Sequence, residues 1–290
     1  MDEPLNHSSS STPDASSVGS PLERVLARFD GRGEVAGADT MVATGFESLD
    51  QGIGGGFRRG DLVVLGGDDG TGTSSLALGI ALRSMPRALL ITGEMAEERV
   101  FERALAISVR VPVQSLRIGV LTEEEQARVT MTAPALREWS PSVDTITLGG
   151  TDALWASHDR APSAPLVVVD GIESLLGRDF DTDDALAGIV RELKRFALER
   201  NVAVLAVSHL PALDRKRQDR RPRLGDFGAR GAAGVHADLV LGLFREEMYD
   251  GELGVTGAAE LSILKNRDGD VGYVDLYFSA ECLRFQDMAE

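Results

Sequence analysis

The sequence predicts an α/β fold built on a mostly parallel central sheet with helices on both faces and a hairpin at its C-terminal edge. Three observations carry this. Residues 62–65, 88–92, 166–170 and 202–207 are short apolar runs without polar alternation, the pattern of strands covered on both faces. Helical stretches separate them, above all the stripe Leu186, Ile189, Val190, Leu193 and Ala197. The first run enters a glycine-rich turn and leaves into an apolar helix over 76–82, the order of parts that builds a phosphate-binding loop. In such a sheet, ligands bind beyond the carboxyl ends of the strands, where the turn, Glu94, Asp170 and His209 all fall.

In chain order, residues 1–20 (MDEPLNHSSSSTPDASSVGS) are Ser-rich without apolar periodicity, which predicts a disordered tail. Residues 21–43 read as a short helix, with Leu22, Val25, Leu26 and Phe29 on one face, followed by a linker. The main domain is expected over 44–290. It opens with TGFESLD, where Phe46 and Leu49 are expected in the core. Residues 96–109 read as a helix with Phe101, Leu105 and Val109 four apart. Residues 113–155 alternate helical and strand-like pieces and give no firm assignment. The last third changes character: 238–244, 258–265 and 271–278 read as strands, the last two joined by the turn Asn266, Arg267, Asp268, Gly269.

The chain of 290 residues is 43% hydrophobic, enough for one large domain. Its net charge of −16 repels nucleic acid and anionic membranes as a whole, so any nucleic-acid contact needs a local basic patch. One cysteine, Cys282, excludes an intrachain disulfide and fits a reducing compartment. No apolar run is long enough to span a bilayer, and a cytoplasmic protein is expected. The four histidines show no metal-ligand spacing with the cysteine.

The glycine-rich turn has the spacing of a phosphate loop and only part of its chemistry. Gly67, four residues and Gly72 should be followed by lysine and Ser/Thr; here Thr73 takes the lysine position and Ser74 follows. Gly67, Gly70 and Gly72 let successive N–H groups turn inward on an anion, so Gly67, Gly70, Thr71, Gly72, Thr73, Ser74 and Ser75 form the candidate cradle. Ser74 keeps the hydroxyl that meets Mg²⁺. Asp68 and Asp69 add two anions that would repel a triphosphate, and only three lysines (Lys194, Lys216, Lys265) are present to replace the missing one. A tight strand-to-helix turn without a ligand has the same spacing.

Asp170 closes an apolar strand, the place for a second Mg²⁺ carboxylate. Glu94 can orient an attacking water or open the following helix, and His209 can sense a γ-phosphate or be a structural histidine. Residues 214–223, DRKRQDRRPR, hold the dense basic run: Arg215, Lys216, Arg217, Arg220, Arg221 and Arg223. Such a loop holds single-stranded backbones by charge, or is simply solvated; no aromatic residue is interleaved to stack on bases.

With these residues in place, the chain resembles the C-terminal motor domain of bacterial replicative helicases of the DnaB type, and more distantly the KaiC and RadA/Sms branches of the RecA-like superfamily. TGFESLD, ITGEMAEERV, LVVVD, AVSHL, ADLVLGLFREEMYD and LKNRDGDVG carry the resemblance over residues 44–287. It implies a RecA-like fold that assembles as a ring, usually of six subunits, with ATP and Mg²⁺ between neighbours and single-stranded DNA in the centre. It further implies Ser74 and Asp170 as metal residues and Glu94 as the catalytic carboxylate. Lys265 and Arg267 match trans-acting cations that reach the γ-phosphate of the adjacent subunit, and 215–223 falls in the DNA-binding loop region. His209 stands where the helicases usually show glutamine, and the family's N-terminal collar domain has no expected counterpart. Two functions are therefore expected as alternatives: a diverged ring-forming module that binds nucleotide and DNA with weak or absent hydrolysis, or an active ATP-dependent translocase. An unknown protein partner would fit the first.

Overall fold

The computed structural model describes residues 22, 23, 26, 40–146, 150–176, 182–251 and 254–288; the tail expected over 1–20 lies outside them, as does most of 21–39. The chain divides into two units, Met1–Thr40 and Met41–Glu290. The second carries the sheet and the candidate site.

In chain order this unit comprises β1 (Met41–Val42), α1 (Glu47–Ile53), β2 (Phe57–Arg58), β3 (Leu62–Gly67), α2 (Thr73–Ala81), β4 (Leu89–Thr92), α3 (Glu97–Val109), α4 (Val113–Ile118), α5 (Glu123–Trp139) and β5 (Ser142–Thr145). There follow α6 (Gly150–Arg160), β6 (Leu166–Asp170), α7 (Thr182–Arg200), β7 (Ala203–Ser208), α8 (Ala232–His236), β8 (Leu239–Phe244), β9 (Ala258–Asn266), β10 (Gly272–Ser279) and β11 (Arg284–Asp287). β1 and β2 pair with each other. The other nine strands form one sheet in the order β11-β10-β9-β8-β3-β7-β6-β4-β5. From β8 to β5 the neighbours are parallel, and β9, β10 and β11 extend the sheet antiparallel.

Alternation along the apolar strands divides the core in two. Val63, Leu65, Leu90, Val168 and Leu205 pack with α1, α2 and α3 on one face, joined by Phe46 and Leu49 as expected. Leu62, Val64, Ile91, Val169 and Val204 face the other way, onto α6 and α7. Both faces of these strands are buried, which is why their sequences show no polar alternation. The predicted hairpin is β9–β10. The unassigned stretch resolves into α4, α5, β5 and α6, and β11 is a further edge strand that the sequence pattern did not indicate.

This topology sorts the candidate residues into two groups. The parallel strands β3, β4, β6 and β7 bring the glycine-rich loop, Glu94, Asp170 and His209 to one edge of the sheet. β9 runs the opposite way: its last residue, Asn266, pairs with Leu239 at the start of β8. Lys265 and Arg267 therefore lie at the opposite edge, about 20 Å away along a six-residue strand.

Candidate nucleotide site

The loop after β3 encloses a space that only glycine permits. A Cβ on Gly67 would stand 2.4 Å from Thr71 Oγ1 and 3.0 Å from the Leu243 carbonyl oxygen, and Gly72 turns the chain into α2 at φ 101. Thr71 is buried and its hydroxyl donates to the Asp68 carbonyl at 2.7 Å, bracing the turn. Thr73, Ser74 and Ser75 form the first turn of α2, whose N–H groups have no earlier helical carbonyl to bond. Gly67, Gly70, Gly72, Thr73, Ser74 and Ser75 line a cleft of about 520 Å³ with Glu94, Arg103, His209, Arg245 and Phe278.

The two acidic residues of the loop differ. Asp68 is only 11% exposed and is turned to protein donors: Arg215 Nη2 at 2.7 Å, the Tyr249 hydroxyl at 3.0 Å and the Asp69 N–H at 3.0 Å. Burial alone would raise its pKa, but these donors hold it below the ordinary carboxylate value. The repulsion expected from Asp68 is therefore largely compensated, and Asp69, 76% exposed, is the anion that faces solvent.

Asp170 is buried, and among the described residues its Oδ1 accepts no hydrogen bond. Burial pushes its pKa up to about 6, against the Ser74 hydroxyl, which lowers it. An unsatisfied buried carboxylate oxygen beside a loop hydroxyl is the donor set a hard divalent cation takes, so Ser74 and Asp170 fit Mg²⁺. Glu94 and His209 meet at 3.4 Å between Oε1 and Nε2, and His209 Nδ1 lies 3.4 Å from Asp69. The Glu94 contact raises His209 to about 9 despite partial burial, and His209 in turn holds Glu94 below its usual range. At neutral pH the pair is imidazolium and carboxylate. Glu173 joins them: its Oε1 accepts the backbone N–H of His209 at 3.1 Å, and ligand atoms of Glu94, Glu173 and His209 lie within 4.8 Å of one another.

Two cations in the cleft are absent from the sequence reading. Arg103, on α3, is half-buried, and no hydrogen bond or ion pair engages its guanidinium among the described residues. Burial lowers its pKa, opposed by the charges of Asp170 and Glu94. Arg245, just past β8, is buried, donates to the Gly70 carbonyl at 3.3 Å and lies 4.4 Å over the Phe278 ring, with Glu247 as its ion-pair partner. Arg103 carries no motif signal; Arg245 lies within the ADLVLGLFREEMYD stretch that carries the resemblance, but only the fold brings it to the cleft. Lys265 and Arg267 do not join them: Lys265 donates to the carbonyls of Gly234 and Ala237, and Arg267 Nε lies 3.0 Å from Asp238 at the far edge.

The basic run is a loop and is less basic than it reads. Arg215 pairs with Asp68, Arg217 with buried Asp226 at 2.7 Å, Arg221 with Glu260 at 2.9 Å and Arg223 with Asp219 at 3.6 Å. Among the described residues, the side chains of Lys216 and Arg220 have no carboxylate within ion-pair distance. Two aromatic rings lie beneath the run: Arg220 lies 4.8 Å over Tyr249 and Arg221 4.8 Å over Phe244, and these rings stack on each other, with Phe244 buried.

A doubly covered parallel sheet, a glycine-rich loop opening into a helix and carboxylates at the adjoining strand ends define a RecA-like domain of the P-loop class. Residues 41–287 match the profile of the DnaB-like helicase C-terminal domain, and the chain belongs to that family. It is 31% identical over 264 residues to the replicative DNA helicase DnaC of Bacillus subtilis, covering 86% of this chain and 57% of that protein. It is 28% identical to the replicative DNA helicase DnaB of Geobacillus stearothermophilus, covering 87% and 58%. The chain thus spans a little over half the length of these relatives. Its fold matches a solved ATPase domain with a TM-score of 0.82 at 24% identity, covering 93% of this chain and 99% of that one. A KaiC-like protein from Pyrococcus horikoshii matches more distantly, with a TM-score of 0.59 at 15% identity, covering 86% and 99%.

Proposed function

We propose that this chain is a ring-forming, DnaB-like module of the cytoplasm that binds ATP with Mg²⁺ and single-stranded DNA, and hydrolyses ATP weakly or not at all. The observation that carries this reading is that the backbone cradle and Ser74 line the cleft and Asp170 lies buried beside Ser74, while Thr73 stands at the position of the lysine. Ser74 and Asp170 would hold Mg²⁺, which when bound neutralises charge on the phosphates. The cradle N–H groups hold the phosphate oxygens at the N-terminus of α2. Arg103 brings a cation without a protein partner among the described residues, and Arg245 braces the loop at Gly70. Together these support binding without the loop lysine.

Hydrolysis asks more. Glu94 is the group to orient an attacking water, and in this cleft it is committed to the His209 imidazolium. Completion of the site requires a neighbour, whose Lys265 and Arg267 approach from their opposite edge. Lys216 and Arg220, without carboxylate partners among the described residues, are the cations of the basic loop most available to a DNA backbone. The second reading, an active single-stranded DNA translocase, is favoured by Glu94 and Asp170 at adjoining strand ends and by Arg103, unengaged among the described residues. Steady-state turnover with and without single-stranded DNA decides between them. The proposal expects turnover close to the protein-free background in both conditions. DNA-stimulated turnover near the enzyme median of about 10 s⁻¹ would replace it with the translocase.

A further inference from the structure

The bond between Asp68 and Arg215 joins two candidate sites separated by 147 positions in the chain. Asp68 belongs to the phosphate loop and Arg215 to the basic loop. The carboxylate is 11% exposed and fixed by three donors; the guanidinium is 57% exposed, with a second, longer contact to the 76% exposed Asp69 at 3.6 Å, so an outside anion can approach it while the Asp68 bond is intact. Arg220 rests on the same platform through Tyr249, whose hydroxyl is another Asp68 donor. Arg217 and Arg221 are held by Asp226 and Glu260, which anchor the loop. The exchangeable cation at the phosphate loop is therefore Arg215.

We propose that Asp68 is a positioning residue that docks the basic loop on the phosphate loop, and that backbone phosphate of single-stranded nucleic acid competes with it for Arg215. This rests on the nucleic-acid reading of the basic loop. A phosphate and Asp68 are alternative acceptors for the same guanidinium, and charge-assisted bonds of this type are similar in kind. When nucleic acid takes Arg215, Asp68 keeps the Tyr249 hydroxyl and the Asp69 N–H but loses its cationic partner within the loop that holds the triphosphate, and nucleotide affinity falls. By linkage, nucleotide weakens nucleic-acid binding by the same factor. Because Arg215 is more than half exposed, solvent and salt moderate the effect, and a factor of about 3 to 10 is expected.

The test is a double-mutant cycle on the full chain, with a fluorescein-labelled oligothymidylate as the nucleic-acid probe and ATP with Mg²⁺ as the nucleotide. Asp68→Asn should tighten oligothymidylate binding about 3- to 10-fold, because the competing acceptor is weakened. Arg215→Gln should weaken it, and Asp68→Asn should then have no further effect in the Arg215→Gln background. Saturating oligothymidylate should lower ATP affinity in the unmodified protein and leave that of Asp68→Asn unchanged. Equal effects of Asp68→Asn with and without Arg215 would overturn the competition, since a general charge effect acts in both backgrounds. Binding of oligothymidylate by the unmodified protein without any change in ATP affinity would overturn the coupling while leaving the nucleic-acid reading intact. Absence of oligothymidylate binding to the unmodified protein would remove that reading, and the competition with it.

Discussion

Restoring the missing cation, Thr73→Lys, puts the proposed function at direct risk. Thr73 is the first residue of α2, and its methyl would stand 2.9 Å from a Cβ on Gly67, so its side chain lies over the mouth of the loop. A lysine on the same Cα has the reach to extend into the cleft lined by Ser74 and Glu94. One charge-assisted bond to phosphate contributes about 1.5–3 kcal/mol, or roughly 10- to 150-fold in affinity. Arg103 and Arg245 already place positive charge there, which moves the expected gain toward the lower end. Calorimetric titration of Mg·ATP into Thr73→Lys should give an affinity about 10-fold above that of the unmodified protein, with Thr73→Gln as a control for side-chain length. A gain below about twofold would refute the reasoning, because position 73 would then not face the phosphates of a bound nucleotide.

Other substitutions separate the parts of the account. Asp170→Asn should remove the Mg²⁺ dependence of ATP binding while metal-free binding persists, as titrations with Mg²⁺ and with EDTA would report. Lys265→Ala and Arg267→Ala should leave nucleotide binding by dilute, dissociated protein unchanged and weaken it only where the protein assembles, since both cations lie at the opposite edge of their own sheet. Asp61 has its pKa raised to about 6 by burial and then by the Asp238 charge, against an ordinary value of 3.8. The folded state thus holds this proton more tightly than the unfolded chain, a contribution fully present below pH 3.8 and lost as pH rises through about 6. Asp61→Asn should therefore unfold later than the unmodified protein at pH 8, by about 1 kcal/mol after allowance for solvent screening, with the difference closing near pH 4. Phe196 is fully buried, with Trp155 edge-on at 4.9 Å; Phe196→Ala should cost about 3–5 kcal/mol in denaturant unfolding.

The central strands were legible because burial on both faces writes the same message at every position of each strand. β5 was not, because Ser142–Thr145 is a polar strand at the sheet edge with no apolar run. α5 buries only Leu136, so it has almost no apolar face to read; its one clear signal is the capping box of Thr122 and Glu125 at its start. In the cleft, Glu94, Asp170 and His209 were legible as polar residues closing apolar strands. Arg103 lies inside a helix with no motif around it, whereas Arg245 stands in the ADLVLGLFREEMYD stretch that carries the resemblance, and there only its place in the cleft depended on the fold. The basic run was legible as charge, but its neutralisation depends on Asp68, Asp226 and Glu260, partners that only the tertiary fold brings near. The same holds for the packing of Arg220 and Arg221 on the rings of Tyr249 and Phe244.

The most direct measurement is equilibrium titration of Mg·ATP into the unmodified protein, at a concentration where light scattering has established its assembly state. The proposed function predicts saturable binding in the micromolar range, about −8 kcal/mol, held by the backbone cradle, Ser74, Asp170 and the cleft arginines. No binding up to millimolar nucleotide would contradict it and leave a RecA-like domain whose loop turns a strand into a helix without holding a phosphate.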